Sequence, residues 1–213
     1  MIKLIIFDYD GVIVDSFANV HEVYKTICKK FGKKCPATLA DFKKIYGFSF
    51  IECYNNLGFS EEECTKGNLI FKGEILKKEV KLFEGITEVL KKLHKNYQLV
   101  LVSSSYKEEV EQKLIKFDLL KLFDFIWARE SHLGRFKKSE SIKKAINKLA
   151  IKPSKILLIG DRNIDFVAGS KAGLKNILLV EYGWGYDAKE IPEYQQKALV
   201  KSPKDILKAV QKF

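Results

Sequence analysis

Continuous apolar runs alternate with amphipathic segments through most of this chain of 213 residues. A run that is apolar at nearly every position is typical of a strand buried on both faces of a sheet. Such runs lie at residues 3–7, 98–102, 123–127, 155–159 and 176–180. The segments between the later runs repeat apolar residues at the three-and-four spacing of a helix with one apolar face. This alternation predicts an α/β fold with a doubly wound parallel sheet, covered by helices on both sides.

The connection between the first two runs is too long for a single crossover. No convincing strand occurs from residue 17 to about residue 82, and helical spacing is present there instead. The clearest helical stripe consists of Val20, Tyr24, Ile27 and Phe31. Connections inside compact domains are usually short, so we expect an inserted helical module. The sequence therefore predicts a core formed by residues 1–15 and 84–213 and a helical domain at residues 16–83.

Two carboxylates, Asp8 and Asp10, directly follow the first apolar run. In parallel sheets, ligands bind just beyond the carboxyl ends of the strands. Side chains two positions apart on an extended backbone point the same way, and Gly11 permits a sharp turn out of the strand. One carboxylate can serve as a nucleophile or metal ligand while the other transfers protons. The alternative is an acidic turn with no chemical role.

Small hydroxyl side chains follow the second run, at Ser103, Ser104 and Ser105. Hydroxyl and backbone N–H groups that open into the next helix are suited to holding a phosphate. A serine-rich helix cap would have the same sequence, so this stretch alone leaves both interpretations open.

A cation and two further acids complete the set of polar strand ends. Lys137 and Lys138 precede the helix that contains Ile142, and Asp161 and Asp165 follow the fourth run. Capping of the next helix accounts for Asp165 but not for Asp161. Because an anion, a hydroxyl, a cation and an anion occur at successive strand ends, the sequence predicts one site rather than four unrelated surface features.

Composition excludes several classes of protein. Hydrophobic residues make up 46% of the chain, which is enough for a packed core, and the N-terminal apolar run is too short for a membrane span or a signal peptide. We therefore expect a cytoplasmic protein that binds no membrane. The net charge of +11 comes almost entirely from lysine, since the arginines are Arg129, Arg135 and Arg162. Paired lysines on helices indicate a solvated surface that attracts anionic metabolites, and no nucleic acid is expected.

Four cysteines lie in the predicted helical domain, at Cys28, Cys35, Cys53 and Cys64. Their spacing contains no C-x-x-C pair, and a reducing compartment disfavours disulfides. We interpret them as free thiols, and a metal site or disulfide remains the alternative.

The polar strand ends together resemble the four motifs of the haloacid dehalogenase superfamily of phosphohydrolases, and the resemblance covers nearly the whole chain. The motifs are Asp8-Tyr9-Asp10-Gly11-Val12, Ser103, a lysine, and Gly160-Asp161 with Asp165. The helical insertion lies where that superfamily has its C1 cap, and Glu181-Tyr182-Gly183-Trp184-Gly185-Tyr186 is similar to a segment of the phosphoglycolate phosphatase-like branch. The proline that commonly follows the motif lysine is missing, so Lys138 and Lys137 are both candidates, with Lys138 preferred. Arg162 stands where a small Ser or Thr is frequent.

The resemblance implies a role for each motif residue. Asp8 would attack phosphorus to form an aspartyl-phosphate, and Asp10 would protonate the leaving group and then activate water. Ser103, the Ser104 N–H and Lys138 would neutralise the phosphoryl oxygens, and Asp165 would orient the lysine. Mg²⁺ would be the cofactor, with ligands from Asp8, the Asp10 carbonyl and Asp161. The partner implied is a small phosphorylated metabolite, and we expect a monomer or weak dimer.

The resemblance also frames which reaction is expected. Asp10 favours phosphoryl chemistry over dehalogenation. A β-phosphoglucomutase-like transferase remains an alternative, although Val20 occupies the position where mutases carry a cap histidine. The corresponding specificity loop here is Tyr46-Gly47-Phe48-Ser49-Phe50, so Tyr46, Gly47 and Phe50 are candidate substrate contacts. The equal alternative is that the aromatic residues Tyr46, Phe48 and Phe50 belong to the core of the cap. A non-catalytic protein that binds a phosphorylated ligand is the other alternative.

Overall fold

The computed structural model describes residues 1–47, 49–131, 136–189 and 200–213. The described chain divides into two compact units. The first, the core unit, contains Met1–Asp15, Lys81–Glu130 and the described residues from 136 onward, and the second, the helical unit, contains Ser16–Val80 together with Ser131. The sequence places the inserted domain at residues 16–83, so the two ranges share residues 16–80. Its function as a cap stays a prediction.

The core unit contains all of the strands among the described residues. The strands are Leu4–Phe7 (β1), Val14–Asp15 (β2), Lys81–Leu82 (β3), Gln98–Tyr106 (β4), Phe125–Arg129 (β5), Ile156–Gly160 (β6) and Asn176–Leu179 (β7). The helices are Phe17–Lys30 (α1), Leu39–Ile45 (α2), Phe50–Asn56 (α3), Glu61–Lys77 (α4), Ile86–His94 (α5), Lys107–Lys116 (α6), Lys138–Leu149 (α7), Asn163–Lys171 (α8) and Asp205–Val210 (α9).

Five strands form one parallel sheet in the order β5-β4-β1-β6-β7, which confirms the predicted α/β class. The register pairs Phe7 of β1 with Leu101 of β4 and with Ile159 of β6. The residues that follow these three positions therefore lie at the same edge of the sheet. On one face, alternate residues of β1, β4 and β6 pack against α7 and α8 in a cluster that includes Leu4, Val100, Leu158, Ile142 and Ala168.

Strand β4 is longer than the sequence predicts. The apolar run ends at Val102, but the extended backbone continues through the three serines to Tyr106, and α6 begins only at Lys107. The pairing of β4 with β5 changes register between Val102 and Tyr106. The serines therefore do not cap the helix, because they lie in an irregular extension of the strand.

A short antiparallel pair carries the chain out of the core unit and back into it. Val14 pairs with Leu82 and Asp15 with Lys81, and the Phe83 N–H donates to the Ile13 carbonyl oxygen. The sequence analysis missed both strands because two residues are too few to show a hydrophobic period.

The helical unit is built around aromatic side chains. The Tyr24 ring contacts the rings of Phe42, Tyr46, Tyr54 and Phe71, with centroids 5.1–6.3 Å apart. Hydroxyl side chains begin three of the four helices, since Thr38, Ser49 and Ser60 accept hydrogen bonds from N–H groups in the first turns of α2, α3 and α4. The four cysteines are free thiols. Of the helices described, none has the length and apolar character needed to cross a membrane.

Candidate active site

Asp8 lies directly after β1, at the carboxyl edge of the sheet. Its N–H donates to the Ile159 carbonyl oxygen of β6, which fixes the backbone, and its side chain is buried. The Oδ1 atom accepts a hydrogen bond from the Tyr9 N–H at 2.8 Å, and Oδ2 lies 2.8 Å from the Lys138 ammonium. These two contacts fix the orientation of the carboxylate, and the Lys138 ammonium favours its ionised form.

Lys138 is the lysine that reaches Asp8. It is the first residue of α7, and its buried ammonium contacts the carboxylates of both Asp8 and Asp165. Lys137 lies one position earlier on the exposed surface and pairs with Glu140 at 2.9 Å. Burial alone would lower the pKa of Lys138, but the Asp165 and Asp8 carboxylates outweigh it and raise that pKa above its ordinary value.

Asp165 holds this arrangement together with both of its oxygens. One oxygen, Oδ1, contacts the Lys138 ammonium, and the other accepts hydrogen bonds from the N–H groups of Asp161 and Arg162. It is fully buried in the first turn of α8. Asp165 therefore positions the lysine and caps its own helix at the same time.

Asp161 follows β6 and is also fully buried. Its Oδ2 atom accepts a hydrogen bond from the Gly185 N–H at 2.8 Å, whereas Oδ1 has no hydrogen-bond partner among the described residues. Gly11, with φ of +79°, passes so close that a Cβ there would lie 1.9 Å from Asp161 Oδ2. Only glycine fits this turn, both for its backbone conformation and for the space available.

The electrostatics of the cluster favour an added cation. One oxygen each from Asp8, Asp161 and Asp165 lie within 4.8 Å of one another. Burial, partly opposed by Lys138, raises the pKa of Asp8 to about 7, and burial with the neighbouring Asp165 and Asp8 raises that of Asp161. Like charges crowded away from water disfavour ionisation unless they are neutralised. Mg²⁺ prefers oxygen ligands, so the bare Oδ1 of Asp161 and the carboxylate of Asp8 fit it.

Asp10 lies beside the serines of the β4 extension. Its Oδ2 atom accepts a hydrogen bond from the Ser105 hydroxyl at 2.5 Å. The fully buried Ser103 accepts a hydrogen bond on its hydroxyl oxygen from the Ser105 N–H at 3.0 Å. Ser104, between them, is exposed. The sequence analysis includes Ser105 only in the stretch of three serines and gives it no role of its own, although alternation along an extended strand places it on the side of Ser103.

The predicted substrate contacts lie in the helical unit. Tyr46 is largely buried and its ring contacts those of Phe17, Phe42 and Phe50. Gly47 has φ of +64°, and Phe48 lies outside the described residues. Packing of Tyr46 within the aromatic cluster shows that it belongs to the core of its unit, and its contact with substrate stays a prediction.

The segment after β7 brings two glycines, Gly183 and Gly185, against Asp161, and the sequence analysis does not include them among the site residues. A Cβ on Gly183 would lie 2.3 Å from the Asp161 Cβ, and one on Gly185 would lie 2.8 Å from Asp161 Oδ2. Two glycines flanking a tryptophan were the available signal, since glycine permits close approach of a backbone.

Comparisons with known proteins agree with this geometry. The haloacid dehalogenase-like hydrolase model matches residues 5–179. The chain is 26% identical over 187 residues to pyrophosphatase PpaX of Halalkalibacterium halodurans, covering 84% of this chain and 83% of that protein. It is 25% identical over 215 residues to a phosphoglycolate phosphatase of Synechococcus elongatus, covering 98% and 97%.

A solved structure is similar over the whole chain. The crystal structure of a predicted phosphatase from Clostridium acetobutylicum superposes with a TM-score of 0.88 at 26% identity and covers 100% of both chains. The family match extends from β1 to β7 and so includes the strand ends that carry Asp8, Ser103 and Asp161. The chain therefore belongs to the haloacid dehalogenase-like hydrolase family.

Proposed function

We propose that this hydrolase is a Mg²⁺-dependent phosphatase that cleaves a small phosphorylated metabolite through an aspartyl-phosphate on Asp8. The observation that carries the proposal is the Asp8 carboxylate, buried at the carboxyl edge of the sheet and held by the Lys138 ammonium at 2.8 Å. An ionised carboxylate needs no deprotonation before it attacks phosphorus, and the Lys138 ammonium favours the ionised form of Asp8. The adjacent cation reduces its repulsion toward an incoming phosphate.

In the first step an Asp8 oxygen attacks phosphorus, and the bond from phosphorus to the ester oxygen breaks. Asp10 donates its proton to the departing alkoxide. The Lys138 ammonium, the Ser103 hydroxyl and the Ser104 N–H stabilise the charge on the phosphoryl oxygens. When bound by Asp8, the Asp10 carbonyl and Asp161, Mg²⁺ supplies further charge neutralisation.

In the second step Asp10, now ionised, takes a proton from a water molecule that attacks the aspartyl-phosphate. The bond between phosphorus and the Asp8 oxygen breaks, which releases inorganic phosphate and restores the carboxylate. The Ser105 hydroxyl, donating to Asp10 Oδ2, keeps the acid in place through both steps. Asp10 therefore transfers the proton in both steps, while Lys138, Ser103 and Ser104 stabilise the charge on the phosphoryl oxygens.

Relatives named phosphoglycolate phosphatase and pyrophosphatase support a small anionic phosphorylated substrate for this chain. We propose that the helical unit acts as the cap and selects the leaving group through Tyr46, Gly47 and Phe50.

A mutase is disfavoured by two residues of the helical unit. Val20 lies at the mutase histidine position and is buried, and His21 stacks on Phe42 while its Nε2 is hydrogen-bonded to the Pro36 carbonyl oxygen.

The test is phosphate release by Asp8→Asn from a panel of phosphorylated metabolites with Mg²⁺. We expect loss of nearly all activity, because the amide keeps the volume but removes the nucleophile. Asp118→Asn is the matched control, since Asp118 is exposed and pairs only locally with Lys121. A hydroxylamine-sensitive phosphoryl label on the wild type, missing in Asp8→Asn, would identify the intermediate. Turnover by Asp8→Asn within tenfold of wild type would refute the proposal.

A further inference from the structure

The segment Tyr182–Gly185, which we name the clamp segment, lies against the carboxylate of Asp161. We infer that the clamp segment is the positioning element of the metal site: it holds Asp161 Oδ2 through the Gly185 N–H and so leaves Oδ1 to bind the divalent cation. The inference rests on the proposed function, because that function assigns Asp161 to the cation. It adds residues outside the four motifs to the metal site.

The two oxygens of Asp161 are in unequal surroundings. Oδ2 accepts the Gly185 N–H at 2.8 Å, whereas the buried Oδ1 accepts no hydrogen bond from the described residues. A buried carboxylate oxygen without a partner is costly to desolvate, so such oxygens normally bind a donor or a cation. The hydrogen bond to Oδ2 also stops the carboxylate from rotating. The clamp segment thus decides which oxygen is available.

Close approach of the clamp segment requires its two glycines. A Cβ on Gly183 would lie 2.3 Å from the Asp161 Cβ and 2.5 Å from the Gly11 carbonyl oxygen. A Cβ on Gly185 would lie 2.1 Å from Arg162 Cγ and 2.8 Å from Asp161 Oδ2. Neither position therefore accommodates a side chain without moving Asp161 or its neighbours.

Contacts at both ends hold the clamp segment in place. The Tyr182 hydroxyl donates to the Val12 carbonyl oxygen at 2.8 Å, and its ring meets Phe83 edge to face, with centroids 4.9 Å apart. At the other end the Arg162 guanidinium carbon lies 5.2 Å from the centre of the Trp184 ring, within the range of a cation–π contact. Arg162 follows Asp161 directly, so this contact ties the clamp segment to the residue it positions.

Arg162 supports the clamp segment through its contact with Trp184. A serine or threonine is frequent at this position in the haloacid dehalogenase superfamily, and neither side chain can stack on an indole ring. The Arg162 side chain supports Trp184 and so contributes to the metal site from outside it. We therefore expect Trp184 to influence cation affinity without contacting the cation.

The experiment measures Mg²⁺ binding by isothermal titration calorimetry on the purified full chain without substrate, together with the thermal unfolding temperature of the metal-free protein. Gly185→Ala should weaken Mg²⁺ binding at least tenfold, and Trp184→Leu three- to tenfold. Gly73→Ala is the matched control, because a Cβ at Gly73 in α4 meets nothing within 4 Å, and it should bind Mg²⁺ as the wild type does.

Each outcome decides the inference. Wild-type affinity in a folded Gly185→Ala variant would overturn it, and so would a wild-type chain that binds no Mg²⁺. If Gly185→Ala is unfolded at the assay temperature, Trp184→Leu decides, since a merely structural role would lower its unfolding temperature and leave affinity unchanged. Mg²⁺ binding is measured without turnover. A chain that binds Mg²⁺ as expected but hydrolyses no phosphate ester would refute the proposed function and leave the inference standing.

Discussion

The Ser105 hydroxyl donates a hydrogen bond to Asp10 Oδ2 at 2.5 Å, which joins the extension of β4 to the turn that follows β1. In the proposed reaction Asp10 protonates the leaving group, so its orientation matters most when the leaving group is a poor one. Ser105 therefore gives a direct test of the role of Asp10.

Ser105→Ala should lower kcat/KM roughly tenfold for alkyl phosphates, whose alkoxides need a proton, because a displaced acid loses part of the benefit of general acid catalysis. Acetyl phosphate and p-nitrophenyl phosphate have stable leaving groups that need little help from a general acid. Their kcat/KM values should therefore fall by less than about threefold. Steady-state kinetics on both substrate classes is the measurement. Ser170→Ala, on the exposed side of α8, is the control. Equal losses on both classes would contradict the role assigned to Asp10.

Lys138→Ala should lower kcat by about 10²–10³-fold, the usual effect of removing one preorganised charge from a transition state. It also leaves Asp8 and Asp165 without the ammonium that both contact, so the variant should unfold at a lower temperature. Lys137→Ala removes only an exposed pair with Glu140 and should change both quantities little. Kinetics and thermal unfolding of the two variants together decide which lysine acts.

Asp161→Ala should raise the Mg²⁺ concentration needed for half-maximal activity at least tenfold, an order-of-magnitude figure for the loss of one carboxylate from an oxygen-ligand site. The wild type should lose activity in EDTA and recover it when excess Mg²⁺ is added. Titrations of activity against free Mg²⁺ make the comparison. Full turnover in excess EDTA would contradict a metal-dependent mechanism.

Metal-free protein should become less stable as the pH rises from about 4 to about 7. Burial raises the pKa of Asp8 from 3.8 to about 7, so the folded state binds more protons than the unfolded state in that window. Stability falls with pH wherever the folded state binds more protons. At pH 8 in EDTA, Asp8→Asn should therefore raise the free energy of unfolding by on the order of 1 kcal/mol or more, since one pKa unit corresponds to about 1.4 kcal/mol.

Urea unfolding at pH 5 and pH 8, with EDTA or with Mg²⁺, measures this effect. The advantage of Asp8→Asn should shrink at pH 5 and should disappear with Mg²⁺ at pH 8, because the cation then compensates the ionised Asp8. An advantage independent of pH would instead indicate a packing effect.

Phe50→Leu in the helical unit should change the ranking of substrates more than it changes the turnover of acetyl phosphate. Phe50 is half-buried and packs on Phe71 with ring centroids 5.0 Å apart, so leucine keeps an apolar contact there. Ratios of kcat/KM across the metabolite panel provide the measurement, and Leu69→Ala, half-exposed in α4, is the control from the same unit. Uniform scaling of every substrate would refute a role of Phe50 in selectivity.

The strands of the sheet and the polar residues that follow them could largely be predicted from the sequence. Buried parallel strands are apolar at every position, so a carboxylate directly after such a run, as at Asp8 and Asp161, stands out from its surroundings. The choice between Lys137 and Lys138 was not readable, because it depends on the turn at which α7 begins. The structure begins the helix at Lys138, and this directs one lysine inward and leaves its neighbour on the surface.

The hydrogen bonds that join distant parts of the chain at this site could not be predicted. The Gly185 N–H reaches Asp161 across 24 positions of the chain, and Ser105 reaches Asp10 across 95. Such contacts arise from tertiary packing and leave no period in the sequence. The extension of β4 was missed for a related reason, since serines have weak strand preference and the pairing with β5 resumes only at Tyr106, after a change of register.

The antiparallel pair β2 and β3 has a consequence for how the chain can be rebuilt. Asp15 and Lys81 are directly opposite partners, so the helical unit is inserted between two neighbouring residues of a ladder. Directly opposed residues in such a ladder have Cα atoms only about 4.5–5.5 Å apart, the spacing that a two-residue turn closes in a hairpin. Replacing residues 16–80 with Asn-Gly would turn the point of insertion into an ordinary hairpin. The core could then be produced as a continuous chain. The remaining residues would still include every strand of the sheet and the residues around Asp8 and Asp161.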